Sequence, residues 1–186
     1  MSRRRTLLAS RKFAVTTRFK SPSDALADLQ SAEMIGPDEG RYPETDAISD
    51  YAKHCRTPSG TFTGHRPTAH SEPVVRRFKT IEAGGWDIIG KHPRLAWDGL
   101  CPALLAGTGL DRGAHQSVRP IHPDEPRVIT VREAARLQGF PDHFVFHQTV
   151  WHSFRMIGNS VCPIVAKAIL SNIRSALKDQ RDVAAA

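Results

Sequence analysis

The sequence predicts an α/β protein with a loop-rich middle, and three observations lead to this class. Two apolar triplets separated by basic residues at 6–15 are typical of a short strand. Residues 36–73 are polar and rich in Gly, Pro, Thr and His, which predicts irregular structure. The last third carries the start signals of two helices, and a length of 186 residues allows one domain or one domain with an appendage.

The first helix is predicted directly after a turn at 21–24, where Ser, Pro, Ser and Asp follow one another. It covers residues 25–34 and places Leu26 and Leu29 on one face. Residues 74–78 fit either a strand or a short helix, and residues 94–97 suggest another short strand.

The clearest element is a helix over residues 131–138. Thr130 is its predicted N-cap, and Glu133 three residues later completes a capping box. Gly139 is a good stop for this helix. A brief extended piece is predicted just before it, at 128–129.

A last helix is predicted from about residue 161. Pro163 fits its first turn, where a missing N–H costs nothing. One apolar stripe recurs every fourth residue along it, at Val165, Ile169, Ile173 and Leu177. The tail at 179–186 is predicted to be frayed.

The charge balance favours a polyanionic partner. Lys and Arg number 26 against 19 Asp and Glu, which gives a net charge of +7. Nucleic acid is the commonest partner of so basic a chain, although a generic basic protein has the same composition. Aromatic residues make up only 7%, so base stacking along a single strand is not the expected binding mode.

The cysteines and histidines give no sign of a metal site. Cys55, Cys101 and Cys162 are odd in number and lack CxxC spacing, which argues against a disulfide framework and a structural zinc site. His65 and His70 lie in a Pro/Thr/Ser-rich stretch and are expected to be solvated loop residues. This cysteine usage predicts a reducing cytoplasmic location.

The sequence also predicts no membrane segment. No apolar run approaches the roughly 20 residues that a membrane helix needs. The basic N-terminus lacks the long apolar region and the cleavage site of a secretion signal.

Two segments carry a specific resemblance. One is RVITVREAARLQGFPD at residues 127–142, and the other is RMIGNSVCP at residues 155–163. They resemble, in order, the last two motifs of the DNA cytosine-5 methyltransferases, approximately R-x-L-T-x-R-E-x-A-R-L-Q-x-F-P-D and Q-x-G-N-A/S-V-P. A capped helix followed by a stop explains Thr130, Glu133 and Gly139 but not the full string. The chain is therefore similar to the C-terminal portion of that family.

A third match lies at the N-terminus. The family carries Q-x-R-x-R at the start of a strand, and Arg3 and Arg5 fall at the two arginine positions, with Met1 where glutamine belongs. An ordinary basic N-terminus is the alternative explanation.

The resemblance implies an S-adenosylmethionine-dependent, Rossmann-like fold. Such a fold has a mostly parallel sheet flanked by helices and a smaller, loop-rich, mixed target-recognition lobe. Residues 1–15 would be a strand of the methyltransferase core and 16–125 the target-recognition region, which sets DNA specificity. Residues 126–178 would hold the C-terminal motifs and helices.

The resemblance also implies the chemistry. The family adds a cysteine thiolate from a Pro-Cys motif to carbon 6 of cytosine, so that carbon 5 can take a methyl group from S-adenosyl-L-methionine. None of the three cysteines here follows proline, and the Phe-x-Gly-x-Gly and Glu-Asn-Val segments are missing. The chain alone is therefore expected to be inactive as a DNA (cytosine-5-)-methyltransferase.

Several residues receive roles from the resemblance. Arg3 and Arg5 would lie near the flipped cytosine, and Asn159 and Ser160 would line the pocket for the methionine end of the cofactor. A buried polar scaffold joining the recognition lobe to the sheet would contain Thr130, Arg132, Glu133, Arg136 and Gln138.

Double-stranded DNA is the expected partner. The candidates for phosphate contacts, each of which is better explained singly as a solvated surface charge, are Arg66, Arg76, Arg77, Lys79, Lys91 and Arg94.

Three hypotheses remain open at this point: a methyltransferase part that works with a separate N-terminal subunit, an inactive truncated remnant, and a non-catalytic DNA-binding module. A restriction-linked and a regulatory role are both compatible with the sequence. In each case, apolar residues that normally pack on absent sheet elements should be partly exposed, namely Leu7, Leu8, Val165, Ile169 and Ile173.

Overall fold

The computed structural model describes residues 21–45, 48–107 and 119–185, with side chains up to residue 178. The predicted strand at 6–15, with Leu7 and Leu8, lies outside these residues. Within them the elements are, in order, α1 (Pro22–Leu26), β1 (Glu33–Met34), β2 (Glu39–Arg41), α2 (Asp50–Cys55), β3 (Thr61–Thr63), α3 (Glu72–Lys79), α4 (Val131–Leu137), α5 (Val150–Gly158) and α6 (Pro163–Ala185).

The first helix starts earlier than predicted and is shorter. Ser21 is its N-cap: the Asp24 backbone N–H donates to Ser21 Oγ, and the Ser21 N–H donates to the Asp24 carboxylate. This capping box and Pro22 fix the start within the predicted turn, so the predicted range 25–34 is wrong. Leu26 and Leu29 are nevertheless both buried, because the turn after α1 keeps Leu29 against the core.

A small antiparallel sheet occupies part of the region predicted to be irregular. Its strand order is β1-β2-β3, and Gly40 pairs with both Met34 and Phe62. A Cβ on Gly40 would lie 2.6 Å from the Phe62 ring, so glycine lets that ring cover the sheet. The irregular prediction failed because strands of two or three residues are too short to show alternation.

Residues 72–79 form a helix, which settles the open choice at 74–78. The strand predicted at 94–97 is reduced to isolated bridges. Ile121 pairs in parallel with Arg94 and antiparallel with Val128, so three extended pieces meet at one buried residue.

α4 lies at the centre of the core, as six of its seven residues are buried. It packs against α1 on one side and α5 on the other. The main apolar cluster includes Leu26, Phe62, Ile129, Phe154 and Ile157. A second cluster forms around Phe78, Ile121 and Val128.

The two C-terminal helices differ from the prediction. α5 was not predicted, although Phe154 and Ile157, three residues apart, are its buried face. α6 starts at Pro163 as expected but continues to Ala185, so the frayed tail predicted at 179–186 is helical over most of its length. Its apolar stripe is half-exposed, as expected: Val165 50%, Ile169 53%, Ile173 50% and Leu177 57%.

The span Val150–Lys178, which combines α5 and α6, is long and apolar enough to cross a membrane by length and composition alone. Its most apolar window has a mean hydropathy of 1.3 and is 6% buried. This finding by itself leaves the sequence expectation of no membrane segment untested. Core helices of soluble proteins pass the same test, and here α5 contributes Phe154 and Ile157 to the interior.

Candidate functional site

A network of buried ion pairs surrounds Arg136 on α4. Its guanidinium binds Asp142 at 2.6 Å and Asp28 at 2.8 Å, and Arg56 binds the same Asp28 at 2.8 Å. Burial opposes the charge of Arg136, but its bonds to Asp142 and Asp28 outweigh that effect and raise its pKa. Two carboxylates therefore compensate the fully buried cation.

Asp142 connects this network to Tyr42 and Cys55, two residues much earlier in the chain. It accepts a hydrogen bond of 2.5 Å from the Tyr42 hydroxyl, and its backbone N–H donates to the Cys55 carbonyl at 2.8 Å. Burial and the bond to Asp142 raise the pKa of Tyr42 to about 12, so its hydroxyl stays a donor at neutral pH. The exit turn after α4 is thus fixed to residues that precede it by about a hundred positions.

A second ion pair caps the start of α4. Arg127 forms a two-bond fork with Glu133, at 2.8 and 2.9 Å. Glu133 accepts from the Thr130 N–H at 2.7 Å, and Thr130 Oγ1 accepts from the Glu133 N–H at 3.2 Å, which confirms the predicted capping box. Burial alone would raise the pKa of Glu133, but Arg127 lowers it to about 2.

His65 and His70 are not solvated loop residues, and that expectation is wrong. His65 is 8% exposed, and its Nδ1 lies 3.1 Å from Thr130 Oγ1. His70 is half-buried, accepts from the Val128 N–H at 3.3 Å and packs edge-on against Phe78. Burial lowers the pKa of both imidazoles, so they remain neutral at physiological pH.

Arg132 ties α4 to two loops. Its Nε donates to the Thr63 carbonyl at 2.7 Å, and its Nη2 donates to the Phe144 carbonyl at 2.9 Å. At the other end of α4, the Gln138 side chain donates to the Ser160 carbonyl at 3.1 Å. All five residues assigned to a polar scaffold therefore make hydrogen bonds at α4. Thr130 and Glu133 cap the helix, and Arg132, Arg136 and Gln138 bind residues outside it.

The turn between α5 and α6 contains the two candidate cofactor residues. A Cβ on Gly158 would lie 2.5 Å from the Ala106 nitrogen, so glycine allows that backbone to pack directly on the turn. Asn159 is exposed; its backbone N–H donates to the Arg155 carbonyl at 3.1 Å, whereas its side-chain amide has no hydrogen-bond partner among the described residues. Ser160 Oγ donates to the Ile157 carbonyl at 2.7 Å and keeps its lone pairs free to accept. Arg3 and Arg5 lie outside the described residues.

The cysteines are placed as packing groups. Cys55 is buried, and burial raises its pKa to about 11. Burial raises the pKa of Cys101 to about 12. Neither forms a thiolate at neutral pH, which a nucleophile requires. The described residues hold no group of His, Cys, Asp and Glu suited to a metal ion.

The candidate DNA contacts divide into two groups. Arg94 is buried and donates to the carbonyls of Phe78 and Pro123, and Arg77 binds Asp87 at 3.0 Å. These two serve the fold. The side chains that remain exposed are Arg66, Arg76, Lys79 and Lys91.

One of the exposed arginines lines a cleft of about 580 Å³, called the arginine cleft below. Arg119, which the sequence did not single out, faces the same space. The wall residues are Arg66, Pro67, Thr68, Ala69, Arg119, Gln148, Thr149, Val150, Trp151 and Phe154.

Comparison with known protein families matches residues 10–175 to the C-5 cytosine-specific DNA methylases. The chain belongs to this family. The match covers both segments that carried the sequence resemblance.

Individual relatives agree with this assignment. The type II methyltransferase M.XorII of Xanthomonas oryzae pv. oryzae is 37% identical over 200 residues, which cover 95% of this chain and 47% of that protein. DNA (cytosine-5)-methyltransferase 1 of Gallus gallus is 33% identical over 168 residues, covering 83% of this chain and 11% of the relative. The methylase chain therefore spans about half the length, or less, of these relatives.

A solved structure gives the same fold. The crystal structure of a protein described as a DNA modification methyltransferase encoded within a prophage, from E. coli, superposes with a TM-score of 0.69 at 35% identity. The superposition covers 88% of this methylase chain and 49% of the other. It confirms the predicted α/β methyltransferase class, although the sheet among the described residues is small and antiparallel.

Sequence reasoning missed several residues that organise the site. Asp28 stands between the buried Leu26 and Leu29, and an acidic residue in that position was a signal for a buried ion pair. Asp142 ends the first motif, but the sequence assigned it no role of its own. Arg127 and Arg119 carried no separate signal.

Proposed function

We propose that this methylase chain is the target-recognition and C-terminal part of an enzyme that transfers a methyl group to carbon 5 of cytosine in a specific DNA sequence. The observation that carries the proposal is the family match over residues 10–175. Its strongest segment, residues 127–142, is also the buried polar centre of the structure. The motif is therefore built into the fold and is not an isolated string.

The nucleophile would come from a part of the enzyme that carries a Pro-Cys motif, because none of the three cysteines of this chain follows proline. Attack on carbon 6 needs a thiolate, and burial raises the pKa of Cys55 and Cys101 far above neutral. The role of this chain is then to bind DNA and to complete the pocket in which the thiolate acts. Whether that part lies in the same polypeptide or in a separate subunit does not change this division of roles.

The turn after α5 fits one wall of a cofactor pocket. S-adenosyl-L-methionine supplies the methyl group, and its methionine end carries an ammonium and a carboxylate. The free amide of Asn159 can donate to a carboxylate, and the spare lone pairs of Ser160 can accept from an ammonium. Gln138 holds the turn from behind through the Ser160 carbonyl. The remaining walls belong to the part that carries the Pro-Cys motif.

The apolar face of α6 fits the surface between the two parts. Val165, Ile169 and Ile173 are half-exposed at helical spacing, and Leu100 and Leu105 are exposed near the turn that packs on Gly158. Monomeric proteins rarely expose so continuous an apolar stripe. Covering by the methyltransferase core explains it, and explains equally why Val150–Lys178 resembles a membrane helix in composition.

Arg3 and Arg5 remain the candidates for binding the flipped base. A guanidinium beside the base oxygen would stabilise the negative charge that develops when the thiolate adds. The buried scaffold of Thr130, Arg132, Glu133, Arg136 and Gln138 would hold the recognition region in register with that site.

Complementation tests the proposal. The purified chain is mixed with a polypeptide that carries the family's Pro-Cys motif, and radiolabelled methyl transfer from S-adenosyl-L-methionine to duplex DNA is measured. Transfer is expected in the mixture and not with either chain alone. Replacing the Pro-Cys cysteine by serine in the partner should abolish transfer, whereas Cys162→Ala in this chain should not.

Two results would contradict the proposal. One is methyl transfer by this chain alone, because it would place a nucleophile within these residues. The other is an inactive mixture of folded chains whose duplex affinity does not respond to S-adenosyl-L-methionine. That second result would favour a DNA-binding module without catalysis.

A further inference from the structure

The arginine cleft contains two cations and no anion among the residues that line it. Arg66 is exposed on one wall, and Arg119 enters from another. The side chains of Thr68, Gln148 and Thr149 add hydroxyl and amide donors, and the lining residues include neither Asp nor Glu. This composition selects an anionic ligand.

Arg119 is held in place by contacts that leave its charge uncompensated. Its Nη1 donates to Thr68 Oγ1 at 3.2 Å, and its guanidinium carbon lies 5.3 Å from the centre of the Phe154 ring. No carboxylate pairs with it among the described residues, in contrast to Arg136 and Arg127. Burial lowers the pKa of Arg119 because nothing nearby stabilises the cation. An anion in the cleft would supply the missing partner.

The wall that carries Arg66 is equally fixed. The Arg66 N–H donates to Asp38 Oδ1 at 3.1 Å, and the Gly64 N–H donates to Asp38 Oδ2 at 3.0 Å. The Gly64 carbonyl accepts from the Arg132 N–H at 2.7 Å, which ties the turn to α4. Both arginines therefore project from ordered backbone, and little ordering entropy is lost when a ligand binds.

We propose that the arginine cleft binds a phosphodiester group of the DNA backbone, with Arg66 and Arg119 as its charged ligands; this rests on the proposed function. Guanidinium groups bind phosphate oxygens through paired hydrogen bonds, and hydroxyl and amide side chains are common additional contacts. The apolar floor of Val150, Trp151 and Phe154 suits the deoxyribose on either side of the phosphate. The cleft volume of about 580 Å³ accommodates the phosphate with these sugars.

Salt dependence of duplex binding tests the cleft. Affinity of the full chain for a fluorescent DNA duplex is measured by anisotropy over a range of salt concentrations. Each lost phosphate contact lowers the slope of log affinity against log salt by about 1. Arg66→Gln and Arg119→Gln are each expected to lower it by about that amount, and the double variant by about 2.

Arg41→Gln is the matched control. It removes the same charge from an exposed position on β2, where Arg41 pairs with Glu33 at 3.1 Å, and its slope should equal that of the wild type. Arg119→Lys keeps the charge and should keep the slope. If Arg119→Gln does not fold, the exposed Arg66→Gln, whose backbone bonds to Asp38 remain, carries the test.

Three results would contradict phosphate binding in the arginine cleft. They are unchanged slopes in both glutamine variants, a wild-type chain that binds no duplex, and competition by polyglutamate that equals competition by polyphosphate. The last result would assign the cleft to protein carboxylates. Methyl transfer in the complemented mixture distinguishes the proposed enzyme function from phosphate binding in the arginine cleft. If the mixture is active but the salt slopes of the glutamine variants are unchanged, the enzyme function stands and only phosphate binding in the cleft is ruled out.

Discussion

The carboxylate of Asp142 accepts three hydrogen bonds from the guanidinium of Arg136, at 2.6, 2.8 and 3.0 Å, in the interior of the protein. The two residues are six positions apart, one on α4 and one in the turn after it. Asp28 binds the other side of the same guanidinium, from a segment 108 positions earlier. A single side chain thus connects the segment that carries Asp28 to the turn that carries Asp142.

Replacing Arg136 by Met is expected to destabilise the chain by about 3 kcal/mol, because Asp28 and Asp142 would stay buried and lose the cation that binds both of them. Urea unfolding followed by circular dichroism measures the loss. The control Arg41→Met removes an exposed pair and should cost less than about 1 kcal/mol. Equal effects of the two substitutions would show that the buried network contributes no more than a surface ion pair.

Stability is expected to fall with acid in a window set by Glu133. Its pKa drops from 4.5 to about 2 on folding, so the unfolded state binds more protons between these values. The stabilisation is therefore complete above 4.5 and is lost as pH falls towards 2. The buried His65 and His122, whose pKa values burial lowers, add a loss of the same sign that begins below 6.5.

Unfolding free energies measured across this pH range check the prediction. Glu133→Gln should flatten the acid limb while leaving the part due to the histidines. A profile that keeps its full slope in this variant would mean that Glu133 has the same pKa in both states.

Removing the N-cap hydroxyl of α4 should cost about 1 kcal/mol. Thr130→Ala leaves the Glu133 N–H and the His65 ring without their shared partner. Thr130→Ser keeps the oxygen and should retain most of the stability. Denaturation midpoints of the two variants give the comparison, and a serine variant as unstable as the alanine variant would rule out capping as the cause.

Gly158→Ala should separate the turn after α5 from the segment at 105–106. The added Cβ would lie 2.5 Å from a backbone nitrogen, which cannot move aside as a flexible side chain would. A loss of about 1–3 kcal/mol is expected, together with weaker S-adenosyl-L-methionine binding in the complemented mixture. Gly36→Ala, whose Cβ would make an ordinary 3.5 Å contact, is the control. Thermal unfolding and cofactor titration measure the two effects, and normal values in both would contradict the close packing.

The isolated chain is expected to self-associate through the face of α6. Ile169→Glu, at a position 53% exposed, should make it monomeric and should also prevent complementation. Light scattering and methyl transfer measure these effects. Ser171→Glu, which adds the same charge elsewhere on α6, should leave self-association and activity as in the wild type. Unimpaired complementation by the Ile169 variant would place the interface elsewhere.

α4 could be predicted from the sequence because its signals are local. A capping residue, its partner three positions later and a terminal glycine lie within one short segment, and each acts through the backbone nearby. Gly139 indeed adopts a φ of +87°, which favours glycine. The apolar stripe of α6 could also be predicted, because its residues recur every fourth position in the sequence whether or not another element packs against them.

The site depended on contacts that no local pattern encodes. His65 is buried because Thr130 lies against it, 65 positions later in the chain. Arg136 finds Asp28 only when α1 packs on α4. α5 lacked the signal of a capping box, because His152 and not Glu or Gln stands three residues after its N-cap Thr149. Arg119 resembled any other basic residue until folding placed it in the same cleft as Arg66.

The double attachment of Arg136 bears on the design of chimaeric enzymes with altered DNA specificity. Asp28, Tyr42 and Arg56 lie within residues 16–125, which the resemblance predicts to be the target-recognition region, yet they complete a network that includes Arg136 and Asp142. A transplanted recognition segment that lacks Asp28 would leave the buried guanidinium of Arg136 with one carboxylate partner fewer, since only Asp142 would remain bound to it. Crossover points for such hybrids should therefore be chosen so that these five side chains come from one parent.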